Sequence, residues 1–220
     1  MSIMKAELSP LASAEAIESG RFYEGSKRIM DIIVSASAIG VLSPVFLAVA
    51  LVVRLSSSGP IFFRQRRLGK GQTQFWCYKF RTMLVDAESR LMNNKALRAE
   101  FETNFKLKND PRITKFGSFL RKTSLDELPQ FFNVLEGSMS LIGPRPLVPC
   151  EHSKYRQFGD RLLTVKPGLG GCWQVYRRSE TTYEERIQMD MSYIHSRSFL
   201  LDLKLMVLTV VNVLMRHGAY

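Results

Sequence analysis

A chain of 220 residues, 45% of them hydrophobic, is long enough for one domain with a buried core, which excludes a wholly disordered polypeptide. Its formal charge of +11 calls for an acidic partner: nucleic acid, an anionic membrane face or phosphorylated small molecules. Three cysteines (Cys77, Cys150, Cys172) and three scattered histidines (His152, His195, His217) lack metal-ligand spacing, which argues against a zinc site or a disulfide framework and suits a reducing compartment.

Residues 1–25 read as an N-terminal tail. Glu7, Glu15 and Glu18 interrupt a weakly apolar run, without the basic start and clean apolar core of a signal peptide. From Ile32 to Val53 there are 22 residues without a charge. A straight helix of that length reaches roughly 33 Å, against a bilayer core of about 30 Å. Ser43-Pro44 falls near its middle. Proline lacks an N–H and its ring collides with the carbonyl of Gly40, so a kink is expected there, with the Ser43 hydroxyl serving the freed backbone. Lys27 and Arg28 precede the segment, and Arg54, Arg64, Arg66 and Arg67 follow it, which would hold both ends on the cytoplasmic side. A helix-break-helix that enters and leaves by one face meets both constraints, each arm of about 10 to 12 residues reaching roughly 15–18 Å. A spanning helix and a buried soluble helix stay open on these grounds alone. Asp31 has the helical spacing to pair with Lys27 or Arg28.

Two aromatic-rich runs, 61–63 and 75–80, flank Gly69-Lys70-Gly71 and predict a β-hairpin. Between Gly59 and Met83 there are six basic residues and no acidic one. Such a run can rest on anionic lipid headgroups or serve substrate phosphates, with Lys79 and Arg81 placed nearer the chemistry. A basic and aromatic stretch also suits nucleic acid, but the neighbouring apolar segment opposes it. Leu84 to Lys108 is mixed and charged, reading as a surface helix with a connecting loop.

Ser124 and Glu127 have the spacing of a capping box. This predicts Ser124 as the N-cap of a helix running through residues 131–135 and stopping at Gly137, with Pro129 allowing a later start. Either way Asp126 and Glu127 lie near a helix N-terminus, where backbone N–H groups favour anions. Capping accounts for Glu127 and leaves Asp126 over. A carboxylate kept ionised beside Arg121 and Lys122 can attack phosphorus, and its neighbour can hold Mg²⁺. Arg145, fixed between Pro144 and Pro146, suits a forked contact with a phosphate. A solvated charged turn is the competing reading.

Residues 166–171 form a flexible, glycine-rich stretch able to approach a ligand or simply to turn. Trp173 and Tyr176 could stack on a base or pack in the core. In the C-terminal run only eleven uncharged residues, Leu205 to Met215, follow Lys204, too few to span; a helix lying in the interface, or packed under the active site, suits it, with Arg216 and His217 at its end.

KRIMDI, the apolar segment broken at Ser43-Pro44, YKFRTM, NDPRIT, LRKTSLDELPQFFNVLEGSMSLIGPRP and VKPGLGGCWQV occur in this order. Together they resemble the bacterial sugar transferases, or monotopic phosphoglycosyl transferases, from about Lys27 to the C-terminus. The resemblance implies a membrane-bound enzyme that moves a hexose-1-phosphate from a nucleotide diphosphate sugar, usually a UDP-sugar, to polyprenyl phosphate with Mg²⁺. It implies Asp126 as nucleophile, Glu127 beside it at the metal, and Lys79, Arg121 and Arg145 around the phosphates. A later Arg and Asp of the family pattern fall on Arg178 and Asp190. The chain departs from the pattern at Tyr176-Arg177-Arg178 and at Cys172, which touches the nucleotide or sugar end of the pocket.

The fold expected is α/β, a helix-rich irregular catalytic domain (57–220) with a re-entrant membrane helix-break-helix (26–56) and interfacial amphipathic helices. It would sit monotopically at the cytoplasmic face of a bacterial inner membrane, on anionic lipids and without nucleic acid, with a homo-oligomer left open. A silent membrane adaptor of a polysaccharide assembly complex is the alternative function. Asp126 as a general base is the alternative mechanism.

Overall fold

The computed structural model describes residues 20–104, 107, 110–176 and 182–215. Arg178, Arg216, His217 and residues 1–19 of the expected tail lie outside them. Helix α1 (Arg21–Val41) meets α2 (Ser43–Ser56) at Leu42 with a bend of 63°. The break falls where the proline predicts it. Pro44 stands in the first turn of α2, where its missing N–H costs nothing, and the Ser43 hydroxyl donates to the Gly40 carbonyl at 2.8 Å. Among the described residues no single helix is long and apolar enough to cross a membrane; only together does the bent pair have that length and composition.

The first half of α1 is built into the rest of the protein. Lys27 Nζ donates to Asp202 at 2.6 Å and to the Ile142 carbonyl at 2.9 Å. The Arg28 guanidinium holds the carbonyls of Val134 and Leu135. Asp31, only 2% exposed, accepts from the Leu141 N–H at 2.9 Å and the Ser140 hydroxyl at 3.1 Å. The expected pairing of Asp31 with Lys27 or Arg28 is therefore not made. Both cations are committed elsewhere, and a buried carboxylate needs close donors, which the Ser140–Leu141 backbone supplies. Farther along, Ile32, Ile33 and Val41 of α1 and Leu47, Leu51 and Leu55 of α2 are exposed.

Strands β1 (Phe62–Leu68) and β2 (Gln74–Phe80) form the predicted antiparallel hairpin, turning where Gly71 takes φ +67°. Its open end packs on α2: Phe80 lies in a small core with Val49, Val53 and Leu120. Arg81, expected near the chemistry, is used here instead. Its guanidinium donates to the Ser57 carbonyl at 2.7 Å and hydroxyl at 2.9 Å, clipping the end of α2 to the hairpin. The charged stretch that follows makes two short helices, α3 (Ala87–Asn93) and α4 (Lys95–Asn104).

Thr114 caps α5 (Lys115–Thr123), accepting from the Gly117 N–H. The helix ends at Ser124 in the left-handed conformation, φ +56°. That overturns the expected capping box, because an N-cap residue must be extended and Ser124 is already the C-cap of the preceding helix. A 3-10 turn, Leu125–Glu127, follows, and α6 (Gln130–Glu136) starts after Pro129 and stops at Gly137, φ +89°. A capping box does form elsewhere, between Thr182 and Glu185.

A Cβ on Gly117 would lie 2.0 Å from the Thr82 carbonyl oxygen, so α5 approaches the chain after β2 more closely than any side chain permits. Gly117→Ala is expected to cost about 2–3 kcal/mol by forcing the two apart. Thermal unfolding checks it; an unchanged midpoint would refute the close approach.

Strand β3 (Ser140–Ile142) pairs in parallel with β4 (Gly168–Gly170). The glycine-rich 166–171 stretch thus contains a strand where a flexible turn was expected. Its glycines admit the neighbouring backbone, since a Cβ on Gly168 would fall 2.1 Å from the Gly143 nitrogen. The main core gathers Val134, Met139, Ile142, Leu147, Tyr155 and Leu205. Around it lie α7 (Gly159–Leu162), α8 (Cys172–Tyr176), α9 (Tyr183–Ser196) and α10 (Phe199–Leu214). Helix α10 buries Asp202 and Leu205 and exposes Leu200, Leu203, Val207 and Val210.

Candidate active site

The 3-10 turn after α5 carries Asp126 and Glu127 against β2. Asp126 is 7% exposed, and burial pushes its carboxyl up to about 6; Lys79 pulls it down, Glu127 raises it and Arg121 pulls it down. Burial therefore outweighs the two cations. Lys79 Nζ donates to Glu127 Oε1 at 2.5 Å, both side chains about a quarter exposed. Arg121 is steadied by its Nε–H donating to the Thr82 hydroxyl at 3.0 Å. Lys122, also expected beside Asp126, is solvent-exposed.

A cleft opens beside this turn, lined among others by Arg67, Lys79, Glu127, Gln130, Arg145 and Gln174. Arg145 stands on a segment pinned on both sides. The Pro144 carbonyl accepts from the Gly168 N–H, and the Pro146 carbonyl accepts from Arg67, both at 2.8 Å. The Arg145 guanidinium lies 6.0 Å from the Trp173 ring centre, the outer reach of a cation–π contact. Burial, with the Arg145 charge close by, pushes the Arg67 guanidinium below its usual value. Arg67, Lys79 and Arg145 against the single carboxylate of Glu127 give the cleft lining a net positive charge.

The structure thus brings together Asp126, Glu127, Lys79, Arg121 and Arg145. Asp190 stands apart, 1% exposed, accepting from the Tyr155 hydroxyl at 3.0 Å, and burial pushes its carboxyl up to about 7. Arg186 is close to it electrostatically and stacks on Trp173 at 4.8 Å. Asp190 is therefore linked to Arg145 through Arg186 and Trp173. Trp173 is itself buried and occupied by these arginines, while Tyr176 is 53% exposed.

Arg67, Gln130 and Gln174 were missed by sequence reasoning. The signal for Arg67 was present: strand alternation puts it on the hairpin face of Cys77 and Lys79 once the register is known. No local pattern marks Gln174, which α8 brings up after β4.

The bacterial sugar transferase family profile matches residues 22–216. The chain is 45% identical over 198 residues to an uncharacterized sugar transferase of Haemophilus influenzae, covering 88% of this chain and 42% of the relative. It is 42% identical over 209 residues to the undecaprenyl-phosphate galactose phosphotransferase of Salmonella typhimurium, covering 93% of this chain and 43% of that protein. Both relatives are longer, and the chain spans less than half of each. The exopolysaccharide production protein ExoY of Sinorhizobium fredii is 40% identical over 199 residues and nearly coextensive, with 89% and 88% covered. On a profile match over almost its whole length and a relative of its own size, the chain belongs to the bacterial sugar transferase family.

Proposed function

We propose that the protein moves a hexose-1-phosphate from a nucleotide diphosphate sugar, a UDP-sugar, to polyprenyl phosphate at the cytoplasmic face of the inner membrane, as the first membrane step of exopolysaccharide synthesis. The observation that carries this reading is Asp126, buried next to Lys79 and Glu127, an ion pair that lines a cationic cleft. The relatives' names support it: the Salmonella protein is named for phosphotransfer of galactose with undecaprenyl phosphate. A Xanthomonas campestris relative, 42% identical, is named a UDP-glucose:undecaprenyl-phosphate glucose-1-phosphate transferase. The exposed apolar side chains of the bent α1–α2 pair, with the exposed Arg54, Arg64 and Arg66 at and beyond the end of α2, support a monotopic, re-entrant seat on anionic lipid.

In the chemistry we infer, an Asp126 carboxylate oxygen attacks the sugar-bearing phosphorus. The bridging P–O bond breaks, and the nucleoside monophosphate leaves with the bridging oxygen and its electron pair. Arg67 and Arg145 hold the anionic leaving group; Lys79 and Arg121 steady the charge that develops near Asp126. A phosphate oxygen of the polyprenyl acceptor then attacks the same phosphorus, and the Asp126 O–P bond breaks to restore the carboxylate. The lipid diphosphate sugar departs, with no net change in protons.

Mg²⁺ fits the residues in one way only. Among the described residues no group of three or more His, Cys, Asp or Glu side chains could hold a metal. Asp126 and Glu127 supply two carboxylates, and Mg²⁺ is commonly bound by one or two together with substrate phosphates. Glu127, helped by Asp126, would hold the ion, which would neutralise phosphate charge.

Incubation with a nucleotide sugar labelled in its sugar, without lipid acceptor, is expected to label the protein and release one equivalent of nucleoside monophosphate. Adding polyprenyl phosphate should discharge the label into lipid. Transfer to lipid without labelling would instead make Asp126 a general base in direct transfer. Neither labelling nor transfer would leave a silent adaptor.

A further inference from the structure

The hairpin register gives the cleft a direction. Directly opposed residues share a face, so Phe63 with Lys79, Gln65 with Cys77 and Arg67 with Phe75 follow one another along one side. Two residues of strand advance about 7 Å, which sets Phe63 and Arg67 about 14 Å apart. At the Arg67 end lie Pro146, Arg145 and Trp173. At the Phe63 end the opposite face, that of Phe62 and Phe80, packs on α2, where Ile61 and Phe80 join Val49 and Val53. Leu47, Leu51 and Leu55 of that helix are exposed. Phe63 itself is 48% exposed, an apolar ring beside the Lys79 that holds Glu127.

We infer that Phe63 is the contact for the first isoprene units of the lipid acceptor, so that acceptor and nucleotide reach Asp126 from opposite ends of the hairpin. The inference rests on the transfer reading above and adds the acceptor's place in that site. An acceptor joins a phosphate to a long apolar chain, and the two ends need adjoining surfaces of opposite kind. Lys79 and Phe63, one cross-strand pair, supply them with side chains about 5 Å apart at Cβ. A phosphate drawn toward Lys79 lays its first carbons over the ring, and the chain continues past the end of the hairpin that α2 leads into. The cationic end, by contrast, offers Arg67 and Arg145 to the diphosphate.

Phe63→Thr removes the ring and keeps a good strand residue; Phe63→Leu keeps an apolar surface. With undecaprenyl phosphate as the probe, the Thr variant of the full chain is expected to raise the acceptor KM about tenfold, equivalent to about 1.4 kcal/mol, and the Leu variant about threefold or less. With a short prenyl phosphate the Thr variant should show the same penalty, because the first units make the contact. Acceptor-independent labelling by the UDP-sugar should keep its rate, which also shows that the variant is folded. An unchanged acceptor KM would overturn the inference. So would slower labelling at an unchanged melting point, which would put the nucleotide base on this ring. If the unaltered protein transfers sugar phosphate without ever being labelled, the covalent reading falls while the KM comparison still decides the role of Phe63.

Discussion

Asp126→Asn is expected to lower turnover by roughly a thousandfold or more and to abolish covalent labelling, the scale on which loss of a nucleophile is felt. The amide has nearly the shape of the carboxyl and no charge to bring into a site that is 7% exposed, so the fold should keep or gain stability. The sign follows from the cause. Burial raises this carboxyl to about 6, so the folded protein favours its protonated form. The associated stability is fully present below the ordinary carboxylate range and is lost as pH rises through about 6. The variant should therefore out-melt the parent by a margin that grows between about pH 4 and pH 6 and is then constant. Labelling of the parent should in turn fall away below about pH 6, where the nucleophile is neutral. A variant that melts normally and still transfers sugar phosphate at a tenth of the parental rate would remove Asp126 from the chemistry altogether.

Asp202→Ala is expected to cost about 3–5 kcal/mol, a large part of the roughly 5–15 kcal/mol that holds a domain together. Asp202 is fully buried and accepts three side-chain bonds: Lys27 at 2.6 Å, Tyr193 at 2.7 Å and Tyr23 at 2.8 Å. Truncation leaves the Lys27 ammonium, 12% exposed, without its counter-charge, and two hydroxyls without their acceptor. Asp202→Asn should be milder because it keeps an acceptor. Replacing both charges, Lys27→Met with Asp202→Leu, should recover much of the loss, since the pair's desolvation penalty disappears with it. Chemical unfolding of the parent, Lys27→Met, Asp202→Leu and the double variant reads this out. Simple additivity of the two single losses in the double variant would mean that the charges do not depend on each other.

What the sequence makes legible here is local. Pro44 announces the bend because one ring clashes with one carbonyl, and Gly69-Lys70-Gly71 announces the hairpin because a turn needs that freedom. Gly137 ends α6 for the same reason. Asp126, Glu127, Lys79, Arg121 and Arg145 could be named as one candidate site because their motifs stand in order along the chain. The failures share a different cause. Ser124 has the letters of an N-cap, yet its conformation is decided by the end of α5, which a three-residue spacing does not reveal. Asp31 and Lys27 are helical neighbours, but their partners lie 110 and 175 residues away. A three-residue strand such as β4 has no periodicity to read, and only Ser140–Ile142 opposite makes it one. Arg67 lay hidden among six basic residues until the register sorted them by face.

Because α1 runs unbroken from the Lys27–Asp202 pair to Leu42, it acts as a rigid strut whose length and azimuth are both fixed. One residue inserted into its exposed half would swing everything beyond by about 100° and lengthen it by about 1.5 Å. Val49 and Val53 would then turn away from Phe80, and the leucines of α2 would point in a new direction. The number of residues in this strut is accordingly locked to the geometry of the hairpin below.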